Sequence, residues 1–292
     1  MIATMAVYWC QTGPLVHAEA CAAKQEGLPD LPLFRRQSRL EEALARYGWD
    51  RCSVSTNGQL WIGLAPHNEY ARVPTNSLPQ DLKQVCFVEG PEQAELVEAF
   101  AASPEALRIE FLMIGTSHDY AKRRGPGPYN FAPAIGALRQ AGLPALRRLS
   151  LGDMEQLFNG HVYYGSIGNI THVFDIAPQL EELAVCGCAI LERPVTHERL
   201  ETLHLRVDDI GVSGGPLGQP TIDNILTSRL PALRTLELSL DTQDVQPYAV
   251  PEAFFTSNGY PALESFGMDC LTPDAQSRLR AWAETRNVRW LS

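Results

Sequence analysis

Five segments of this 292-residue chain align on one short template: LPALRRLSL (143–151), APQLEELAV (177–185), HERLETLHL (197–205), LPALRTLEL (230–238) and YPALESFGM (260–268). Each carries an apolar anchor, an apolar residue three places later and another two places after that. This self-similarity constrains the fold more than any other feature, because a unit too small to bury its own apolar face must stack on its neighbours. The anchors Leu146, Leu180, Leu200, Leu233 and Leu263 are spaced by 34, 20, 33 and 30 residues. Two weaker copies extend the series, with Leu82, Val85 and Phe87 in LPQDLKQVCFVEG and Ala106, Ile109 and Phe111 in SPEALRIEFLMIG. The repeats then occupy residues 79–292.

Within a copy the last two apolar residues are two apart, which puts both on one face of a strand and turns the residue between them the other way. Between copies lie segments of helical character: 91–103, 130–142, 169–179, 221–230 and 251–258. Strand and helix alternating at a short period predict an α/β fold with parallel strands joined by helical crossovers.

On these residues the chain resembles the leucine-rich-repeat proteins, whose pattern is L-x-x-L-x-L-x-x-N/C-x-L. Leu180, Leu183, Val185, Cys188 and Ile190 fill every specified position, and Leu200, Leu203, Leu205, Asp208 and Ile210 follow it with Asp at the turn. Met154, Asp241 and Leu271 stand at that turn position in other copies, and the periods are less even than in regular members. The nearest likeness is to irregular bacterial repeats. The resemblance implies a solenoid with parallel strands on its concave face and helices on its convex face. It also implies that Cys188 turns inward, leaving Cys186 on the exposed strand face.

Residues 1–78 do not fit the template and are expected to cap the first repeat. QSRLEEALARYGWD (37–50) sets Leu40, Ala43 and Leu44 on one helical stripe that stops at Gly48. Asn57-Gly58 in CSVSTNGQLWIGL (52–64) is a hairpin signal. At the other end, residues 273–287 predict an amphipathic helix opening on Pro273 and Asp274, with VRWLS adding a short strand.

With 34 acidic against 24 basic residues, a formal charge of -10 disfavours nucleic acid as a partner. The one dense basic run, Lys122-Arg123-Arg124, precedes Gly-Pro-Gly-Pro and reads as a loop. Seven cysteines spread along the chain fit free thiols in a reducing compartment, and no uncharged run approaches the ~20 residues that span a bilayer. A cytoplasmic protein with no membrane partner is the expectation.

Signals for chemistry are sparse. Cys186 and Cys188 lack the second ligand pair of a closed zinc site. GVSGGPLGQP (211–220) lacks the Gly-Lys-Ser/Thr ending of a phosphate loop, and His118-Asp119 has no nucleophile motif beside it. HVYYGSIGN (161–169) reads as an aromatic, Gly-rich loop, either partner-contacting or packed. No catalytic residue, metal or cofactor is assigned. A competing reading gathers Cys10, His17, Cys21 and His67 of the N-terminal segment into a metal or ligand site of an enzyme, and a third makes the chain a structural subunit of a larger complex.

The repeat register instead singles out residues turned away from the apolar interior. The column between the two inward positions reads Cys86, Glu110, Ser150, Ala184, His204, Glu237 and Gly267; the column before it runs through Arg108, Arg148 and Glu182, and the column after it includes Val88, Leu112, Cys186 and Arg206. Parallel sheets are normally covered on both faces, so a face of charged and small residues, becoming apolar toward the N-terminus, predicts a protein cover. The predicted contacts are Arg108, Glu110, Arg148, Glu182, His204, Arg206 and Glu237. The role this suits is non-catalytic protein recognition, such as a cytoplasmic inhibitor or immunity protein neutralising a toxin or effector.

Overall fold

The recurring apolar pair becomes, copy after copy, a short parallel strand. The structure is a computed structural model describing residues 38–63, 72–116, 129–153, 165–207, 218–240 and 247–291, with Tyr120 and Arg124. These belong to one unit, Ser38–Ser292. The Met154, Asp208 and Asp241 turn positions, the His118-Asp119 pair, Lys122-Arg123, most of the 211–220 glycine stretch and Cys10, His17, Cys21 and His67 lie outside the described residues.

In chain order the strands are β1 (Cys52–Ser55), β2 (Leu60–Ile62), β3 (Arg72–Pro74), β4 (Gln84–Phe87), β5 (Phe111–Thr116), β6 (Tyr129–Asn130), β7 (Arg148–Asp153), β8 (Gly165–Asn169), β9 (Glu182–Cys186), β10 (Cys188–Ile190), β11 (Thr202–Val207), β12 (Thr235–Leu240), β13 (Ser265–Met268) and β14 (Arg289–Trp290). Among the described residues, eleven form one sheet in the order β14-β13-β12-β11-β9-β7-β5-β4-β2-β1-β3, and three form a second in the order β10-β8-β6. From β2 through β14 every pairing in the large sheet is parallel. The chain is therefore a mixed α/β protein built on a large parallel sheet.

Leu149 pairs with Leu183, Leu183 with Leu203 and Leu203 with Leu236, so like residues stack through neighbouring strands. Their side chains are 0–3% exposed and share one apolar cluster with the helices. Burying each such side chain is worth about 1.5–3 kcal/mol. The helices on that face are α1 (Arg39–Tyr47), α2 (Ala94–Ala101), α3 (Ala132–Ala137), α4 (Val173–Ile176), α5 (Gln219–Leu226), α6 (Glu252–Thr256) and α7 (Pro273–Arg286). Ser38 and Glu41 form the capping box that starts α1, and Thr272 accepts from the Ala275 amide to start α7.

The N-terminal hairpin forms as predicted, but β2 also pairs in parallel with β4, and β3, not foreseen, closes onto β1. This region thus extends the sheet. A buried ionic network fastens it. The Glu89 side chain is 1% exposed; it forms an ion pair with Arg51 and accepts a 2.5 Å hydrogen bond from Tyr47 Oη. Gln93 accepts from the Glu89 amide at 2.9 Å and donates to Tyr47 Oη at 3.0 Å and to the Ile62 carbonyl at 2.8 Å. The Arg51 guanidinium also lies 4.4 Å from the Tyr47 ring centre. Burial, reinforced by Glu89, holds the Tyr47 phenol far above its usual titration range.

Three sequence readings are corrected. The Ala106 copy is out of phase: Gln84 pairs with Phe111 and Val85 with Leu112, so the anchor is Ile109 and the inward pair is Leu112 and Ile114. Pro104 opens a 3-10 turn through Arg108, which removes Ala106 from the strand entry. Second, GSIGN in 161–169 is strand β8, where Gly165 and Gly187 admit close backbone approach: a Cβ on either would lie 2.3–2.6 Å from a carbonyl oxygen. Third, Ile190 is 50% exposed, whereas Ala189 and Leu191 are buried. Gly187, at φ +130°, reverses the alternation after β9, leaving Cys186 buried at 2% exposure and Cys188 half-buried against the core. Burial raises the pKa of the Cys188 thiol.

The 20-residue repeat has no room for a helix. Residues 191–199 form neither helix nor strand; they bond Arg229 through the backbone and borrow hydrogen bonds from side chains: Leu191 N to Thr221 Oγ1 (3.3 Å), Val195 N to Ser228 Oγ (2.9 Å) and Glu192 N to Thr171 Oγ1 (2.9 Å). Buried His197 spans the same gap, with Nε2 3.0 Å from the Ala177 carbonyl and Nδ1 accepting from the Leu200 amide at 3.1 Å.

Two predictions follow from these polar contacts. Arg51→Ala strands the Glu89 carboxylate in the interior and is expected to lower unfolding stability by about 3 kcal/mol in urea titrations, with Glu89→Gln costing less. His172, whose Nε2 lies 3.1 Å from the Ile135 carbonyl, has its pKa lowered mainly by burial. The unfolded chain binds that proton more readily, so stability holds above about pH 6.5 and declines as pH falls through the folded-state value. Thermal unfolding followed between about pH 7.5 and about pH 5 should show this decline, and His172→Gln should remove its contribution.

Candidate functional site

Strand parity sets the face turned away from the helices. On β12 the alternation is complete: Leu236, Leu238 and Leu240 are buried, whereas Thr235, Glu237 and Ser239 are partly exposed. In register with these lie Arg148, Ser150 and Gly152 on β7, Glu182, Ala184 and Cys186 on β9, and Thr202, His204 and Arg206 on β11. The sequence count thus places Arg148, Glu182, His204, Arg206 and Glu237 together on one surface.

Their partners differ. Arg148 sits opposite Glu182 in the ladder, yet its guanidinium lies 5.2 Å from the Phe111 ring centre on the other side. His204 Nδ1 lies 2.9 Å from Glu237 Oε2 across the β11–β12 pair, and the two side chains are 34% and 46% exposed. The Glu182 side chain is exposed, and its carboxylate has no hydrogen-bond or ion-pair partner among the described residues. Arg289 on β14 donates to Ser265 Oγ at 2.9 Å.

Arg108 and Glu110 do not belong to this face. Arg108 ends the 3-10 turn, and its Nε is buried without a partner. Glu110 precedes β5, and its carboxylate takes a 2.6 Å hydrogen bond from Lys83, which holds its pKa below the ordinary carboxylate value. The open-face residues of β5 are Phe111 and Met113 instead. Leu112 likewise belongs to the interior.

The apolar N-terminal part of the face is also corrected as a contact surface. Trp61, Cys86, Val88 and Met113 are 0–6% exposed and form a second apolar cluster, so the exposed part of this face is the polar portion from β7 onward.

A row of charges at the strand entries was missed. Backbone hydrogen bonds link Lys83, Glu110, Arg147, Glu181, Glu201, Arg234 and Glu264 in successive copies. Side-chain pairs join Lys83 to Glu110 at 2.6 Å, Arg147 to Glu181 at 3.0 Å, and Arg234 to both Glu201 and Glu264. The signal was available for all but Glu110, since the others directly follow the anchors read from the sequence, whereas Glu110 follows Ile109, the anchor that pairing with β4 identifies.

Among the described residues no group of three or more His, Cys, Asp or Glu side chains is placed to hold a metal, and no helix is long and apolar enough to cross a membrane. The arrangement offers charged and hydrogen-bonding groups on a broad surface. No family model matches the chain, and neither a curated protein nor a solved structure is significantly similar to it.

Gly152 fixes how closely β7 and β9 approach beneath this surface. It adopts φ +97°, and a Cβ there would fall 1.8 Å from the Cys186 carbonyl oxygen. Gly152→Ala is expected to cost about 3 kcal/mol or more in chemical denaturation, through combined backbone strain and overlap.

Proposed function

We propose that the chain is an irregular leucine-rich-repeat solenoid that binds another protein, without catalysis, through the strand face opposite its helices. That face would be the concave one. The observation that carries the reading is the exposed stretch from β7 to β12, where Arg148, Glu182, His204, Arg206 and Glu237 stand on adjacent parallel strands. A parallel sheet is ordinarily covered on both sides, so this polar stretch suits an external cover. Charges of both signs beside small side chains match the rim and core of a protein interface better than a concave apolar ligand pocket. The mechanism is steric and electrostatic occupation of the partner. A cytoplasmic inhibitor or immunity protein that neutralises a toxin or effector is the role it fits.

Affinity capture from the native host, followed by titration of the captured protein, tests the proposal. Arg148→Glu and Arg206→Glu should each weaken binding about tenfold or more, a loss near 1.4 kcal/mol. If both reversals leave every captured partner unchanged, the face is not the recognition surface.

A further inference from the structure

Arg148 and Glu182 are ladder partners of opposite charge on β7 and β9, and both side chains are exposed. One residue earlier at the same junction Arg147 and Glu181 pair at 3.0 Å, and across the β11–β12 ladder His204 and Glu237 do so at 2.9 Å. Arg148 and Glu182 do not pair. The Arg148 guanidinium lies 5.2 Å from the Phe111 ring centre on its other side, and among the described residues neither it nor the Glu182 carboxylate has a hydrogen-bond or ion-pair partner. A cation and an anion thus stand side by side with their hydrogen-bonding capacity unused. The next open-face positions, Ser150 and Ala184, are small, so the two charged side chains project above their own strands.

Half-buried Phe111, Arg148, Glu182 and Thr202 hold matching positions on β5, β7, β9 and β11. The row reads apolar, positive, negative, neutral at a strand spacing of about 4.8 Å, which sets its first and third members about 9.6 Å apart. An α-helix laid across the strands carries side chains at i, i+4 and i+7 on one face over a rise of about 10.5 Å, within ~1 Å of that span. An extended segment repeats its face every ~6.7 Å and overshoots the same two gaps by about 4 Å. Covering either charge without an opposite one is unfavourable, so the occupant needs an acid over Arg148 and a base over Glu182.

We propose that this row seats one helix of a protein partner, with apolar, acidic and basic side chains at i, i+4 and i+7 placed over Phe111, Arg148 and Glu182 in that order. The assignment rests on the recognition role proposed above and narrows it to one kind of contact. The acidic side chain is the middle one whichever way the helix runs, so the row selects an order of charges as well as a balance of them.

Two stapled helical peptides on an alanine-rich frame, titrated against the full chain by fluorescence anisotropy, test this. One carries Leu, Glu and Lys at i, i+4 and i+7, and the other carries Leu, Lys and Glu. The first should bind about tenfold more tightly. Arg148→Glu combined with Glu182→Arg, an exchange at exposed positions that keeps the net charge, should invert the preference. Glu182→Gln alone should lower it to about threefold, and Phe111→Ala should weaken both peptides about equally. Equal binding of the two peptides, binding of neither, tighter binding of an extended peptide with the same three residues on one face, or a preference that these charge variants leave unmoved overturns the helical seat. Capture of a protein partner that depends on Arg206 is a separate result, so the broader recognition role survives that failure.

Discussion

The continuous parallel ladder from β2 to β14 holds every other feature in place. Its hydrogen bonds alone would tolerate slippage, but each strand also carries apolar side chains at alternate positions. A one-residue shift would turn Leu183 and Val185 outward and bring Glu182 and Ala184 inward. The ladder and the apolar stack therefore specify the same register, and the helices follow because they must cover the face on which that stack lies. Lys83, Glu110, Arg147 and Glu181 add the same phase at the strand entries, although exposed pairs of this kind contribute little each.

Where the repeat is irregular, the chain satisfies its backbone by other means. The short repeat uses the side chains of Thr171, Thr221, Ser228 and His197, with backbone bonds to Arg229, in place of helical bonds. At the N-terminal side, Tyr47 and Arg51 pair with the buried Glu89 carboxylate, and Gln93 accepts from its backbone amide. A buried pair of this kind contributes little over an apolar substitute, yet losing one partner is costly. It therefore acts mainly to specify how the N-terminal hairpin joins the sheet.

The face away from the helices divides into two parts with different physics. From β2 to β5 it is apolar and already buried, ending at Phe111 with Arg148 stacked beside it. From β7 to β12 it is polar, with charges of both signs at successive strands. Removal of Arg108 and Glu110 and burial of the apolar end leave a smaller exposed face than the sequence alone suggested. It is also a more polar one.

The anchors and their two following apolar residues were legible in the sequence, as were α1, the Asn57-Gly58 hairpin, α7 and the shared strand face of Arg148, Glu182, His204, Arg206 and Glu237. Period and parity are local properties that any strand must obey, and a one-dimensional pattern carries them. The phase of the β5 copy was not legible, because Ala106-Ile109-Phe111 and Ile109-Leu112-Ile114 are both acceptable local patterns; pairing with β4 chose between them. The buried network around Glu89 and the reversal at Gly187 that exposes Ile190 depend on groups distant in sequence. The tertiary structure alone decided them, since whether a side chain is covered is settled by what packs against it.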